Sequence, residues 1–315
     1  MDPGSSPNVV FIGAGKMAEA MISPLQSIPN PPSVGFYEVS PSITKATLAK
    51  YPRCIVYDSL VDAAGAADLL ILAVKPQNSA KVFEGLRPVL SDHGAGTTNP
   101  VVLSIMAGVP IERMVEGLGT PKVIRSMPNT PAMIEQGVTV WCKNGKMPTV
   151  PLTTADSYTP EEVALTKVCI RAMGTEILVD DEQFIDMATS ISGSGPAYVF
   201  MLIEAMVDSG VHMGFPRDVA TKLVHQTLLG STIYAMGTEE HPAVLKNSVT
   251  SPAGTTASAM YELEKGRFRT VVQDAIWACY RRSLEMGGQD SNVGPGRRVA
   301  PAGEFPDFVT VREKK

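Results

Sequence analysis

The sequence predicts an α/β protein: an N-terminal Rossmann-type doubly wound sheet, followed by an all-α C-terminal dimerisation domain. Three observations carry this. A β-rich apolar run, Val9–Ile12, leads into Gly13-Ala14-Gly15. Up to about residue 178, strand-length apolar runs alternate with helical patterns, which implies βαβ units. Beyond about residue 180 the strands stop and helical patterns follow one another.

Val9–Ile12 is the first strand, and Gly13 to Ala18 form a tight turn opening a helix. Pro24 falls inside that helix and is expected to kink or shorten it. Val34–Val39 is a second strand and Thr44–Ala49 a helix. Asp68–Val74 is continuously apolar after its first residue, as a strand inside a parallel sheet must be, and stops at Lys75-Pro76. Ala80–Val89 reads as a helix, and Val101–Ile105 and Lys122–Arg125 as two further strands. Lys143–Thr159, rich in Lys, Gly, Pro and Thr, reads as a surface loop. Pro160-Glu161-Glu162 then starts a helix, with proline and acids in the first turn.

Four helices follow: Pro196–Ser209, Pro216–Ala235, Ser258–Gly266 and Arg269–Met286. The first is apolar around most of its circumference and is expected to be buried, against a second subunit where its own domain is too small to cover it. From Gly287 the chain is rich in Gly and Pro and reads as a flexible tail. The expected parts are a dinucleotide-binding domain over 1–178, a helical substrate and dimerisation domain over 179–287, and a tail over 288–315.

Composition removes several function classes. The 315 residues carry a net charge of −5 with no basic face, so neither nucleic acid nor an anionic membrane is an expected partner. No apolar run approaches membrane-spanning length. Cys54, Cys142, Cys169 and Cys279 lie far apart without a CxxC pair, and His93, His212, His225 and His241 show no ligand spacing. No metal site is expected, and the compartment is a reducing one. The first residues, MDPGSSPN, lack a basic-then-apolar leader, so a cytoplasmic protein is the default. An organelle form without its leader is the alternative.

Gly13-x-Gly15-x-x-Ala18, between a strand and a helix, is the dinucleotide fingerprint. The first glycine permits the turn; the second lets a pyrophosphate approach the helix N-terminus. Glu38 lies near the end of the second strand, where an acid hydrogen-bonds the adenosine ribose hydroxyl, and this tilts the cofactor toward NADH. No Arg follows it to hold a 2′-phosphate. The expected cofactor contacts are Ile12, Gly13, Ala14, Gly15, Lys16, Met17, Glu38, Ser40, Asp58, Ala73, Val74, Lys75, Pro76, Ile105, Met106 and Ala107. The cofactor is NADPH or NADH.

His241–Glu264 is a hydroxyl-rich segment pinned by Pro252 and Gly254 that then opens a helix. Ser251, Thr255 and Thr256 crowd the helix start. Unpaired amides and partial positive charge there suit a small carboxylate; an ordinary capped helix is the plainer reading.

The same segment resembles the signature of pyrroline-5-carboxylate reductases, through Pro242, Leu245, Val249, Thr250, Ser251, Gly254, Thr256 and Ala259. Met260 stands where that pattern has Leu, Ile or Val. Four more blocks resemble the family in the same order: the Gly13 turn, Ala73-Val74-Lys75-Pro76, Ser104–Gly108 with Arg125–Pro131, and Ser192–Tyr198. Met106 replaces a small residue and is expected to narrow the nicotinamide end. Met127–Pro131 reads as a rigid loop, either walling the site or purely structural. Ser192–Tyr198 is expected to join the two domains.

The resemblance implies a homodimer, commonly assembled into larger rings such as a decamer. It also implies an active site between the cofactor domain and helices contributed in part by the partner. The reaction would be hydride transfer from NAD(P)H to the C=N bond of Δ1-pyrroline-5-carboxylate, giving L-proline. Substrate contacts are expected at Glu182, Ser248, Ser251, Ala253, Gly254, Thr255 and Thr256. The Ala253–Thr256 amides would bind the carboxylate, and the Thr256 hydroxyl, the expected catalytic group, would meet the ring nitrogen. Ser248 stands where relatives place Asn. With no strong general acid in the sequence, the substrate is expected to enter as the iminium or to take its proton from water. Three rivals remain: a reductase of a related cyclic imine, a β-hydroxyacid-type dehydrogenase with its Lys on the interdomain helix, and a non-enzymatic dinucleotide-binding regulator.

Overall fold

The computed structural model describes residues 6–91, 99–145 and 158–295. Its sheet runs β3-β2-β1-β4-β5-β6-β7-β8. The strands are β1 (Asn8–Ile12), β2 (Ser33–Tyr37), β3 (Ile55–Val56), β4 (Leu69–Leu72), β5 (Val101–Ser104), β6 (Val123–Met127), β7 (Gly137–Lys143) and β8 (Gly174–Leu178). Strands β1 to β6 are parallel; β7 runs antiparallel to β6, and β8 parallel to β7.

Burial on both faces explains the unbroken apolar strands. Leu69 to Leu72 are all 0% exposed. Alternate side chains serve two cores: Val9, Phe11 and Ile71 join one, and Val10, Ile12 and Leu72 the other. Flanking helices complete both layers: α1 (Lys16–Leu25), α2 (Pro41–Lys50), α3 (Leu60–Gly65), α4 (Ser79–Leu90), α5 (Ile111–Leu118) and α6 (Pro160–Arg171). In α1 the buried Ala18, Met21, Ile22 and Leu25 recur at helical spacing. Pro24 sits next to the last residue, and α1 is short, as its ring requires. A capping box at Thr159 and Glu162, with Pro160 in the first turn, starts α6.

The sheet is wider than the sequence reading. Lys143, expected to open a surface loop, instead ends β7, paired with Ile124. Of that loop, residues 146–157 lie outside the described residues, as does His93.

The C-terminal part holds α7 (Gln183–Ala188), a π-helical turn (Thr189–Gly193), α8 (Gly195–His212), α9 (Arg217–Met236), α10 (Pro242–Ser248), α11 (Thr255–Lys265) and α12 (Phe268–Met286). Within one chain the first of these helices is not covered by its own domain. Only Val207 and Gly210 of α8 are buried, while Phe200 and Met201 are 61% and 74% exposed. The statement that no segment approaches membrane-spanning length is corrected: within the helical run Gln183–His212 an 18-residue stretch reaches a mean hydropathy of 1.2, and the run is long and apolar enough by composition to cross one.

The helix α12 returns to the sheet. Gly108, at φ +68°, lies so close that a Cβ would stand 2.6 Å from Met286 Cβ. Residues 288–295, expected as the start of a flexible tail, fold back on α12. Arg281 donates to the carbonyls of Val293 and Pro295, at 3.2 and 2.8 Å, and Gly294 lies on the Trp277 ring. Residues 296–315 lie outside the described residues.

Candidate active site

Gly13 adopts φ +94°, and a Cβ there would lie 2.9 Å from the Ala73 carbonyl oxygen. Its N–H donates to the Tyr37 carbonyl at 2.8 Å. Packing and backbone conformation therefore both demand glycine at this position. Gly15 differs: a Cβ would meet nothing within 4 Å. No protein atom requires glycine there, so the open space is available to a ligand. Gly15 caps α1 without any side-chain bond, and the first helical bond is Glu19 N–H to Gly15. The amides of Lys16, Met17 and Ala18 thus have no helical partner, and the site fits a pyrophosphate.

Beside the turn, both Glu38 oxygens are held by backbone. Ala14 N–H donates to Oε2 and Ser40 N–H to Oε1, each at 2.9 Å. A cavity of about 630 Å³ opens here, lined by Tyr37, Glu38, Thr44, Lys45, Tyr57 and Asp58 among others. It lies past the carboxyl ends of β2 and β3, where an adenosine belongs in this fold. The sequence reading named Glu38, Ser40 and Asp58. It missed Tyr57, because β3 is only two residues long and gave no strand pattern from which to place it, and Lys45, because a lysine on a helix reads as a solvated side chain.

The central strand ends lie together. Ala73 N–H donates to Ile12 O at 2.9 Å, and Ile105 N–H to Leu72 O at 3.2 Å. Val74 and Pro76 are partly exposed beyond this edge and Lys75 is exposed. Ile105 and Ala107 are likewise partly exposed. The expectation for Met106 is corrected: its side chain is 2% exposed and packs into the core of β4, β5 and α5. It narrows nothing at the nicotinamide end, because its apolar chain is better buried than left at the strand edge.

The Met127–Pro131 loop has a structural role. Asn129 Oδ1 accepts from Val138 N–H at 3.0 Å, and its amide nitrogen donates to Ser192 O at 3.1 Å. One side chain thus ties the sheet to the π turn. Ser194 Oγ lies 3.2 Å from Cys279 Sγ, and the Tyr198 hydroxyl donates to Ser190 O at 3.1 Å. Glu182, expected beside the substrate, accepts from Ile111 N–H and Arg125 Nη1, both at 2.8 Å. Arg125 also pairs with Asp186, to which Ser283 Oγ donates at 2.7 Å. Burial opposes the Arg125 charge, but Asp186 and Glu182 outweigh it and raise its pKa. This network, joining β6, α5, α7 and α12, was not read from sequence. Its members lie up to 172 positions apart, from Ile111 to Ser283, and each is unremarkable alone.

The other expected half of the site is the loop between α10 and α11. Gly254 N–H closes a turn on Ser251 O at 3.0 Å, and Ala253 is held at φ +56°. A left-handed alanine costs on the order of 1–2 kcal/mol. Gly254 caps α11 in extended conformation without a side-chain bond, and Ser258 N–H makes the first helical bond. The amides of Thr255, Thr256 and Ala257 are therefore without helical partners. Thr256 is partly exposed; Ser251 and Thr255 are exposed. Ser248 Oγ donates to its own helix, at Leu245 O, 2.8 Å. Among the described residues no hydrogen bond joins 241–264 to the sheet domain, and α11 packs mainly on α12. A single chain thus presents the two halves separately.

The geometry has counterparts in known proteins. Residues 182–286 match the family model for pyrroline-5-carboxylate reductase dimerisation, and residues 8–108 that for NADP oxidoreductase, coenzyme F420-dependent. The pyrroline-5-carboxylate reductase of Synechocystis sp. is 38% identical over 279 residues, 88% of this chain and 97% of that protein. The Arabidopsis thaliana enzyme of the same name is 35% identical over 90% and 97%. Among solved structures, the Plasmodium falciparum pyrroline carboxylate reductase with NADP bound superimposes with a TM-score of 0.76 at 27% identity, covering 90% of this chain and all of that one. With relatives this similar along nearly their whole length, the chain belongs to the pyrroline-5-carboxylate reductase family.

Proposed function

We propose that this chain reduces the C=N bond of Δ1-pyrroline-5-carboxylate to L-proline, the last step of proline synthesis, as an NAD(P)H-dependent oxidoreductase. Family membership carries the reaction. The observation that carries the site is the start of α11, where Ala253 takes a costly conformation and three successive amides face outward without a helical partner. Such an end suits the substrate carboxylate.

When bound, NAD(P)H supplies the hydride. The Gly13–Met17 turn holds its pyrophosphate, and the edge formed by Ala73–Pro76, Ile105 and Ala107 receives its nicotinamide end. The Ala253–Thr256 amides hold the carboxylate. Thr256 Oγ1 hydrogen-bonds the ring nitrogen, which arrives protonated or takes its proton from water. The residues thus act by orienting the imine carbon against the hydride donor.

A second copy completes the site in this reading. It is supported by the separation of the two halves within one chain and by the exposed apolar side chains of α8 and α9. A dimer is the unit, and a ring such as a decamer a further assembly of it. The functional parts are 1–178 and the helical part from 179, a division supported by the end of β8 at Leu178. Four free cysteines favour the cytoplasm. Against the β-hydroxyacid reading, the interdomain run Gln183–His212 contains no lysine.

The test is purified protein with NAD(P)H and pyrroline-5-carboxylate, followed at the nicotinamide absorbance. Oxidation that depends on the imino acid supports the reading; none with either coenzyme ends it.

A further inference from the structure

We infer that Glu38 makes this chain selective for NADH, by standing as a fixed anion where the 2′-phosphate of NADPH would have to lie. The inference deepens the reading of the cleft as a nicotinamide dinucleotide site and rests on it. Glu38 follows β2 directly, and both its oxygens are held, one by the Ala14 amide of the dinucleotide turn and one by the Ser40 amide. The side chain is positioned before any ligand arrives.

The Ser40 amide has a further meaning. Ser40 is the N-cap of α2, and Pro41, the first helical residue, has no N–H to offer. The Ser40 and Ser42 hydroxyls lie 3.0 Å apart at the same end, and neither caps the helix. An uncapped helix start with two hydroxyls would suit a phosphate. Here the chain's own carboxylate has taken the Ser40 amide, and only the Ser42 and Ile43 amides of the helix start are left for such a group.

The remaining charges reinforce the choice. The charged side chains lining the cavity are Glu38, Asp58 and Lys45, two carboxylates to one ammonium. Lys50, further along α2, is bound to Glu19. A phosphate monoester brings a charge of about −1.5 to −2 into a region already net negative. Free ribose hydroxyls fare differently. A carboxylate has about four acceptor positions, and two of those on Glu38 are used by backbone, leaving the others for the 2′ and 3′ hydroxyls. The Plasmodium relative binds NADP on the same fold, so the fold by itself does not exclude the 2′-phosphate.

The experiment is a fluorescence titration of the full chain with NADH and with NADPH, without substrate, for wild type, Glu38→Ser and the near-isosteric Glu38→Gln. Wild type binds NADH at least about tenfold more tightly, and added salt narrows the gap. In both variants NADPH gains and NADH loses, bringing the two within about twofold of each other or reversing them. Wild type that binds NADPH as tightly as NADH overturns the inference, and so does a ratio unchanged in both variants. The titration needs no turnover. Selective binding without reduction of pyrroline-5-carboxylate would therefore sink the activity alone, and equal turnover and binding with both coenzymes would sink the selectivity alone.

Discussion

Arg125 meets Asp186 fork to fork. Nη2 lies 2.7 Å from Oδ1 and Nη1 3.0 Å from Oδ2, with both side chains buried. The pair links the last parallel strand, β6, to α7 and, through Ser283, to α12. Removing Asp186 takes away the fully buried partner and leaves Arg125 only the partly exposed Glu182, so Asp186→Ala is expected to cost about 3 kcal/mol in a urea melt. Replacing both by apolar residues of similar volume should cost much less. Equal losses for the single and double variants would show that the pairing is not what stabilises the junction.

Thr256→Ala removes the hydroxyl proposed to meet the ring nitrogen. The loss of a hydrogen bond to a charged group is on the order of 1.5–3 kcal/mol, so kcat/KM at saturating coenzyme should fall about tenfold to a hundredfold. Thr256→Ser should recover most of it. An unchanged kcat/KM in the alanine variant removes Thr256 from the reaction.

Gly13 and Gly15 should respond in opposite ways. Gly13→Ala forces a Cβ against the Ala73 carbonyl at a positive φ, and is expected to lower Tm. Gly15→Ala meets no protein atom, so Tm should hold while the dissociation constant for NADH or NADPH rises. Calorimetry and a binding titration on both variants separate fold from site. A destabilised Gly15→Ala with normal binding would contradict the assignment of that space to the cofactor.

Alkaline pH should weaken the fold through two thiols. Burial pushes Cys169 from 9.0 up to about 12, and burial, then the Glu182 charge, does the same to Cys142. Both pKa values are raised on folding, so this stabilisation is complete below about pH 9 and is lost as pH rises toward 12. The urea midpoint should fall across that range, and less steeply in Cys169→Ala. Parallel slopes for variant and wild type would mean that Cys169 is not protected from ionising.

Phe200→Glu places a charge on the exposed apolar face of α8. Light scattering should show the mass of the assembly falling toward that of a monomer, with kcat falling in step if, as proposed, a second chain completes each site. A variant of wild-type mass and activity would put the subunit contact elsewhere.

Much of the sheet domain was legible because its strands are buried on both faces and bounded by Gly or Pro. Leu69–Leu72 and the Gly13 turn announce themselves by residue type alone. β7 was not, although Val138, Val140 and Cys142 alternate with Thr139 and Trp141, because an antiparallel return after β6 breaks the βαβ rhythm that guided the reading. β8, in which Ile177 and Leu178 stay half exposed at the sheet edge, lacks the apolar run of an inner strand. In the site, Glu38 was readable from its place after β2, but not that two amides already hold it. Met106 was misjudged because a strand-end position does not say whether the side chain turns toward the ligand or back into the core. The junction around Arg125 was invisible, because charge pairing over such chain separations leaves no local pattern.

The bare faces of α8 and α9 bear on how the molecule is made. A newly released polypeptide carries Phe200, Met201, Ile233 and Met236 in contact with water. Its route to safety is a collision with its twin, a second-order event, in competition with chaperone capture and clumping. At low expression the yield of finished molecules should therefore climb faster than the rate of synthesis, roughly as its square.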